Sequence, residues 1–128
     1  MRRLSLWGPP AIWMALIFAL SAQPELPTPH IAFIDQAAPV AFHFGEYAVL
    51  ATLLLRALHE GLGPAAAPPA RRVWLVSLLL SLVYAVSDEY HQSFVAGRTA
   101  SWFDLAIDGL GAVSATAIVS AILGQRAG

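Results

Sequence analysis

The chain has 128 residues, of which 58% are apolar and only 12% charged, with a net charge of −1 and no cysteine. Soluble domains average about 45–50% apolar and about 25% charged residues, so this balance describes a membrane protein with no soluble domain of ordinary size to spare. The absence of cysteine excludes disulfides, thiol nucleophiles and Cys-type zinc sites, and the lack of net positive charge excludes a broad basic surface for nucleic acid.

A length of this order accommodates about four hydrophobic spans of about 20 residues each. Met1 to Arg3 is a short basic tail before the first of them, LSLWGPPAIWMALIFALSA. Its basic start, the apolar run Ala11 to Leu20 and the small residues Ala19, Ser21 and Ala22 would suit a cleavable signal peptide. A retained span is the better reading, because Pro9 and Pro10 then fall near the first helical turn, where a missing N–H costs nothing. The span ends near Gln23-Pro24.

Residues 24–38 (PELPTPHIAFIDQAA) read as a proline-broken connector, with an apolar segment from His30 to Ile34 suited to the membrane interface. A second span is predicted from about Pro39 to Leu58. It places His43, Glu46 and Tyr47 on one face of its first turns, three and four residues apart. Arg56, His59, Glu60 and Gly61 close it, with His59 and Glu60 read as solvated, and GLGPAAAPPARR forms a flexible linker.

A third span, Val73 to about Gln92, is dry until its last turn and a half, where Asp88, Glu89, His91 and Gln92 appear together. Phe94 to Ser101 is a tight connection turning at Gly97. Ser101, three residues before Asp104, reads as the N-cap of a fourth span from Trp102 to Leu123, which carries Gly109, Gly111, Ala112, Ser114 and Ala115 as a small-residue packing face. Trp7, Trp74 and Trp102 near span ends read as interfacial anchors and Trp13 as packing.

The expected fold is therefore all-α, a single domain over residues 1–128 built as a bundle of four transmembrane helices. Six of the seven arginines, Arg2, Arg3, Arg56, Arg71, Arg72 and Arg126, flank the two termini and the middle connector, which places these in the cytoplasm with both termini inside. Ser21, Gln23, His43, Glu46, Asp88, Glu89, His91, Gln92, Arg98, Asp104 and Asp108 then gather at the outer end of the bundle. An ionisable side chain within a bilayer costs roughly 2.5–3.5 kcal/mol even on mild scales, so such a concentration marks a functional site.

The motifs Ser21-Ala22-Gln23-Pro24, His43-Phe44-x-Glu46-Tyr47, Ser87-Asp88-Glu89-x-His91-Gln92-x-Phe94-Val95-x-Gly97-Arg98, and Asp104 with Asp108-x-x-Gly111 resemble, in order and over nearly the whole chain, those of the VanZ-like membrane proteins. Two positions depart from the pattern: Ala96 stands where a proline is common, and Asp108 where asparagine is as frequent. The resemblance implies a small bacterial multi-pass protein of the cytoplasmic membrane, in a family whose founding member is associated with resistance to the glycopeptide teicoplanin. It implies no agreed reaction.

Several chemistries fit the polar cluster. His43, Glu46, Asp88, His91, Asp104 and Asp108 offer ligand types for zinc or another divalent ion, or for magnesium bound through phosphate, but the spacing lacks the H-E-x-x-H signature and assigns no cofactor. A metal-free reading uses His91 as general base or nucleophile, Asp88 to orient it and Arg98 to hold a phosphate, while Glu89 pairs with Arg98. His43 and Glu46 would join the same pocket or hydrogen-bond to order the bundle. Asp104 has an adequate role as a capping charge. The leading expectation is an outward-facing pocket acting on the headgroup of a lipid or lipid-linked, phosphate-bearing cell-envelope precursor. The alternatives are a non-enzymatic binding or transport protein for such a lipid and a structural membrane protein.

Overall fold

The computed structural model describes residues 2–24, 32–62 and 71–125. Four helices occupy them: α1 (Arg2–Ser21), α2 (Ala32–Leu62), α3 (Arg71–Gln92) and α4 (Trp102–Gln125). Each contains a stretch long and apolar enough to cross a membrane, and there is no strand among the described residues. Glu25 and His30 of the first connector, most of the second and Arg126 lie outside the described residues.

Two boundaries correct the sequence reading. Pro9 and Pro10 sit two turns inside α1, which begins at Arg2. A proline's fixed φ near −65° is itself helical, so the cost is the missing donors, and two consecutive prolines confine that loss to a single turn. Likewise α2 begins at Ala32, seven residues before Pro39, and the predicted connector is shorter by that much. The ends of α3 and the start of α4 fall within two residues of expectation.

The arrangement is centred on α2, which packs against all three other helices and most closely against α4, while α1 and α4 do not meet. The α2–α4 pair runs parallel, and Gly111 makes its closeness possible: a methyl group there would collide with the backbone carbonyl of Phe44. This is the small-residue logic of membrane helix pairs, in which backbone approach substitutes for a hydrophobic driving force. Ile17, Tyr47, Leu50, Leu54 and Ala85 form the core, with Trp13, Met14, Tyr84 and Leu105 against it. Midway along α1, Trp13 Nε1 donates to the Glu46 carbonyl (2.9 Å), and the Tyr84 hydroxyl donates to the Met14 carbonyl (2.6 Å). Buried Ser77, Ser81 and Thr116 return their hydroxyls to carbonyls of their own helices, which removes the cost of burying them. Large apolar side chains such as Ile12, Leu79, Val83, Leu110 and Ile118 face outward.

The α3–α4 connection follows the predicted chemistry. Gly97 has φ 80°, the left-handed conformation a glycine tolerates, and Ser101 Oγ accepts the Asp104 N–H at 3.3 Å as a helix cap.

Candidate functional site

Since α1 and α3 end where α2 and α4 begin, the polar ends of all four helices meet at one end of the bundle. A cavity of about 440 Å³ opens there, lined by Leu20, Ser21, Gln23, Ala38, Pro39, Phe42, His43, Glu46, Gln92 and Arg98. Six of these ten are polar, from the end of α1 and the residues just after it, α2, α3 and the connection after α3; the other four form an apolar shoulder from α1 and the start of α2.

Two buried carboxylates stand behind this wall. Asp108 on α4, 2% exposed, lies 2.9 Å from Nδ1 of His43 on α2. An ionised carboxylate can accept that bond only from a protonated nitrogen, so Nδ1 carries the proton, and whenever the imidazole is neutral its lone pair is on Nε2. Asp88 on α3, 5% exposed, is bonded at both oxygens. Ser21 Oγ is 2.6 Å from Oδ1 and 3.1 Å from the Phe18 carbonyl, sharing one proton between them, and Gln92 Nε2 donates to Oδ2 at 3.0 Å. Asp88 thus joins the end of α1 to α3 and aims Ser21 and Gln92, both of which line the cavity.

Of the predicted residues, His43, Glu46, Gln92 and Arg98 line the cavity, and Asp88 and Asp108 support it. The remaining two lie elsewhere. His91 stacks on Phe18 with ring centroids 4.2 Å apart, and its Nδ1 reaches only to 3.5 Å from Ser21 Oγ. Asp104, half-buried in the first turn of α4, is not part of the wall.

Three expected partnerships are corrected, and one expected exposure. Asp88 orients Ser21 and Gln92, not His91, because Gln92 at i+4 is about 40° from Asp88 around the helix whereas His91 at i+3 is about 60° away on the other side. His43 bonds Asp108 on the facing helix and not Glu46 on its own. Glu89 does not pair with Arg98; its carboxylate accepts the backbone N–H of Ser101, while Arg98 Nε donates to the Gln23 carbonyl at 3.2 Å. At the other end of α2, His59 is half-buried, with its Nε2 buried and without a hydrogen-bond partner among the described residues.

Ser21 and Gln23 belong to the site although they carry no charge to advertise it. Their signal was position, as the polar residues closing the first span. Tyr47 is another addition: 1% exposed in the core below the cavity, its hydroxyl has no hydrogen-bond partner among the described residues. Among those residues no three histidine, aspartate or glutamate side chains converge closely enough to hold a metal ion. A second groove of about 220 Å³ between α3 and α4 is lined mainly by Val86, Tyr90, Trp102 and Leu105, with Glu89 already engaged at its base.

No curated protein and no solved structure is significantly similar to the chain. A protein-family model does match, over residues 10–123, from the middle of α1 to the last turns of α4, and covers every residue of the cavity and both carboxylates behind it. The chain belongs to the VanZ/LLP1 family.

Proposed function

We propose that the chain binds the phosphate-bearing headgroup of a lipid or lipid-linked cell-envelope precursor at the outer face of the bacterial cytoplasmic membrane, and acts on a phosphate or acyl bond of it by general acid–base chemistry. The observation that carries this reading is a single cavity in which His43, backed by buried Asp108, shares a wall with Arg98.

Each part of the wall has a task in that reading. Arg98 is anchored through Nε to the Gln23 carbonyl and has four further N–H donors for phosphate oxygens. His43 Nε2 takes a proton from the attacking oxygen and returns it to the leaving one, while Asp108 stabilises the imidazolium formed between the two steps. For phosphate ester hydrolysis, water attacks phosphorus, the P–O ester bond breaks, and the proton passes through His43 from the first oxygen to the second. Ser21 and Gln92, fixed by Asp88, hydrogen-bond the headgroup. Leu20, Ala38, Pro39 and Phe42 give the hydrocarbon a way out between α1 and α2.

The outward orientation rests on arginine. Arg3, Arg56, Arg71 and Arg72 all lie toward the end opposite the cavity, and basic residues mark the cytoplasmic side. The test is purified protein incubated with lipid-linked cell-wall precursors and other phosphate-bearing lipids, followed by mass spectrometry. Turnover that disappears in His43→Ala supports the enzyme. Saturable binding without turnover replaces it with a binding or transport protein for the same lipid. In a bacterial host, deletion is expected to change glycopeptide susceptibility.

A further inference from the structure

The carboxylates at the polar end of the bundle are not equivalent. Asp88 and Asp108 are buried and hydrogen-bonded, and Glu89 accepts the Ser101 N–H. Glu46 is different: it is half-buried, it lines the cavity, and among the described residues its side chain has no hydrogen-bond or ion-pair partner. Arg98 lines the same cavity, and among those residues no carboxylate lies within ion-pair distance of it.

A cation and an anion in one cavity at membrane depth would ordinarily close on each other, because leaving both without a counter-charge is costly where water is scarce. Here no ion pair joins them among the described residues. Arg98 is bonded to the end of α1 through the Gln23 carbonyl, and the Glu46 backbone is fixed by the indole of Trp13. The cavity therefore presents positive and negative poles. The ligand that neutralises both at once is a zwitterion with its anionic group toward Arg98 and its cationic group toward Glu46. Phe42 in the same wall adds an aromatic face of the kind that attracts ammonium groups.

Building on the phosphate-lipid reading above, we infer that the site selects a zwitterionic amino-phospholipid headgroup, with the phosphodiester on Arg98 and the ammonium on Glu46, so that Glu46 is the residue that sets headgroup specificity. A bare phosphate or a glycerol phosphodiester satisfies Arg98 but leaves the carboxylate without a partner. The diester with a primary amine satisfies both, and burying a complementary pair of charges in a wall built for them favours it over the neutral-headed diester.

The test compares two short-chain lipids that share phosphate and tails, dihexanoyl phosphatidylethanolamine and dihexanoyl phosphatidylglycerol, binding to the purified full chain in detergent by calorimetry. The ethanolamine ester is expected to bind roughly tenfold more tightly, the size of one charge-assisted hydrogen bond. Glu46→Gln, which keeps the shape and removes the charge, should lower its affinity to that of the glycerol ester. Arg98→Ala should weaken both esters. Equal affinity of the two esters for the unmodified protein overturns the inference and leaves the phosphate-lipid reading standing. A preference that survives Glu46→Gln overturns the role of Glu46. Failure of both esters to bind at any accessible concentration overturns both readings together.

Discussion

A single methyl group tests how the site is held together. At Gly111 an added Cβ would lie 3.0 and 3.1 Å from the carbonyl carbon and Cα of Phe44 and closer still to its oxygen, against an ordinary carbon–carbon separation of about 3.5–4.0 Å. Those atoms are backbone in the middle of α2, so no side chain can rotate away, and the two helices must separate by a sizeable fraction of an ångström or more. Overpacking of this kind costs typically about 1–3 kcal/mol, and the rigid target places Gly111→Ala at the upper end, with Gly111→Leu beyond it. Two residues away, Gly109 offers an internal control, since its added Cβ would meet only the Cδ2 of Leu82 at 3.3 Å, the end of a flexible side chain. Gly109→Ala should therefore cost less than about 1 kcal/mol, partly offset by the better helix propensity of alanine. The assay is thermal unfolding in detergent, with ligand binding measured alongside. Because Phe44 adjoins His43 and Gly111 lies one turn after Asp108, separating the helices there also lengthens the 2.9 Å His43–Asp108 bond. Gly111→Ala is thus expected to lose activity as well as stability. Equal melting temperatures for the two alanine variants would show that α2 and α4 do not meet as described.

Other outcomes follow from the same geometry. Asp108→Asn and His43→Ala should each reduce turnover at least about 100-fold, the usual contribution of a general acid–base, with the protein still inserted and folded. His91→Ala, which loses the stacking contact with Phe18 and the 3.5 Å contact with Ser21 Oγ, should retain most of the activity while lowering stability by about 1 kcal/mol, judged by unfolding in detergent. Glu89→Gln should lower stability by about 1–2 kcal/mol through the weakened bond to Ser101 and leave ligand affinity close to that of the unmodified chain. A reporter fused after Leu62 should read cytoplasmic and one near Pro29 external; the reverse pattern would put the cavity on the other face.

Helix number, span positions and the gathering of the polar groups at one end of the bundle were legible because hydrocarbon length and charge exclusion leave few solutions for so apolar a chain. Glu89, about 100° around α3 from Asp88, bonds Ser101 while Asp88 bonds Ser21. Partnerships between helices were not legible. Spacing reports only neighbours on one helix, so it coupled His43 to Glu46, whereas its hydrogen-bond partner is Asp108, 65 residues away. That pairing depends on the register of α2 against α4, set by where Gly111 admits the Phe44 carbonyl. The sequence announces a small-residue face but not what lies opposite it. Boundaries near proline failed for a simpler reason: proline is costly inside a helix but not forbidden, and Pro9, Pro10 and Pro39 all sit within helices.

The division of labour among the carboxylates bears on why this end of the bundle is built from ionisable groups at all. An acid kept for folding should be bonded by the chain itself, because an unpaired buried charge costs more than any contact it could make. Asp88 and Glu89 meet that condition. Asp88 attaches α1 to α3 through Ser21, and Glu89 attaches the last turn of α3 to the start of α4, so removing either loosens the frame. Asp108 meets it through His43 Nδ1, whose Nε2 has no hydrogen bond among the described residues in a side chain of the cavity wall, so in the proposed function the same contact would serve both packing and chemistry. Glu46 alone among these four leaves its carboxylate without a bond from the described residues while lining the cavity. A packing role does not account for an acid in that state at that depth, whereas a ligand that completes its bonding does. Stability should then respond most to Asp88 and Glu89, turnover to His43 and Asp108, and ligand selectivity to Glu46, three readouts that a purely structural cluster would move together.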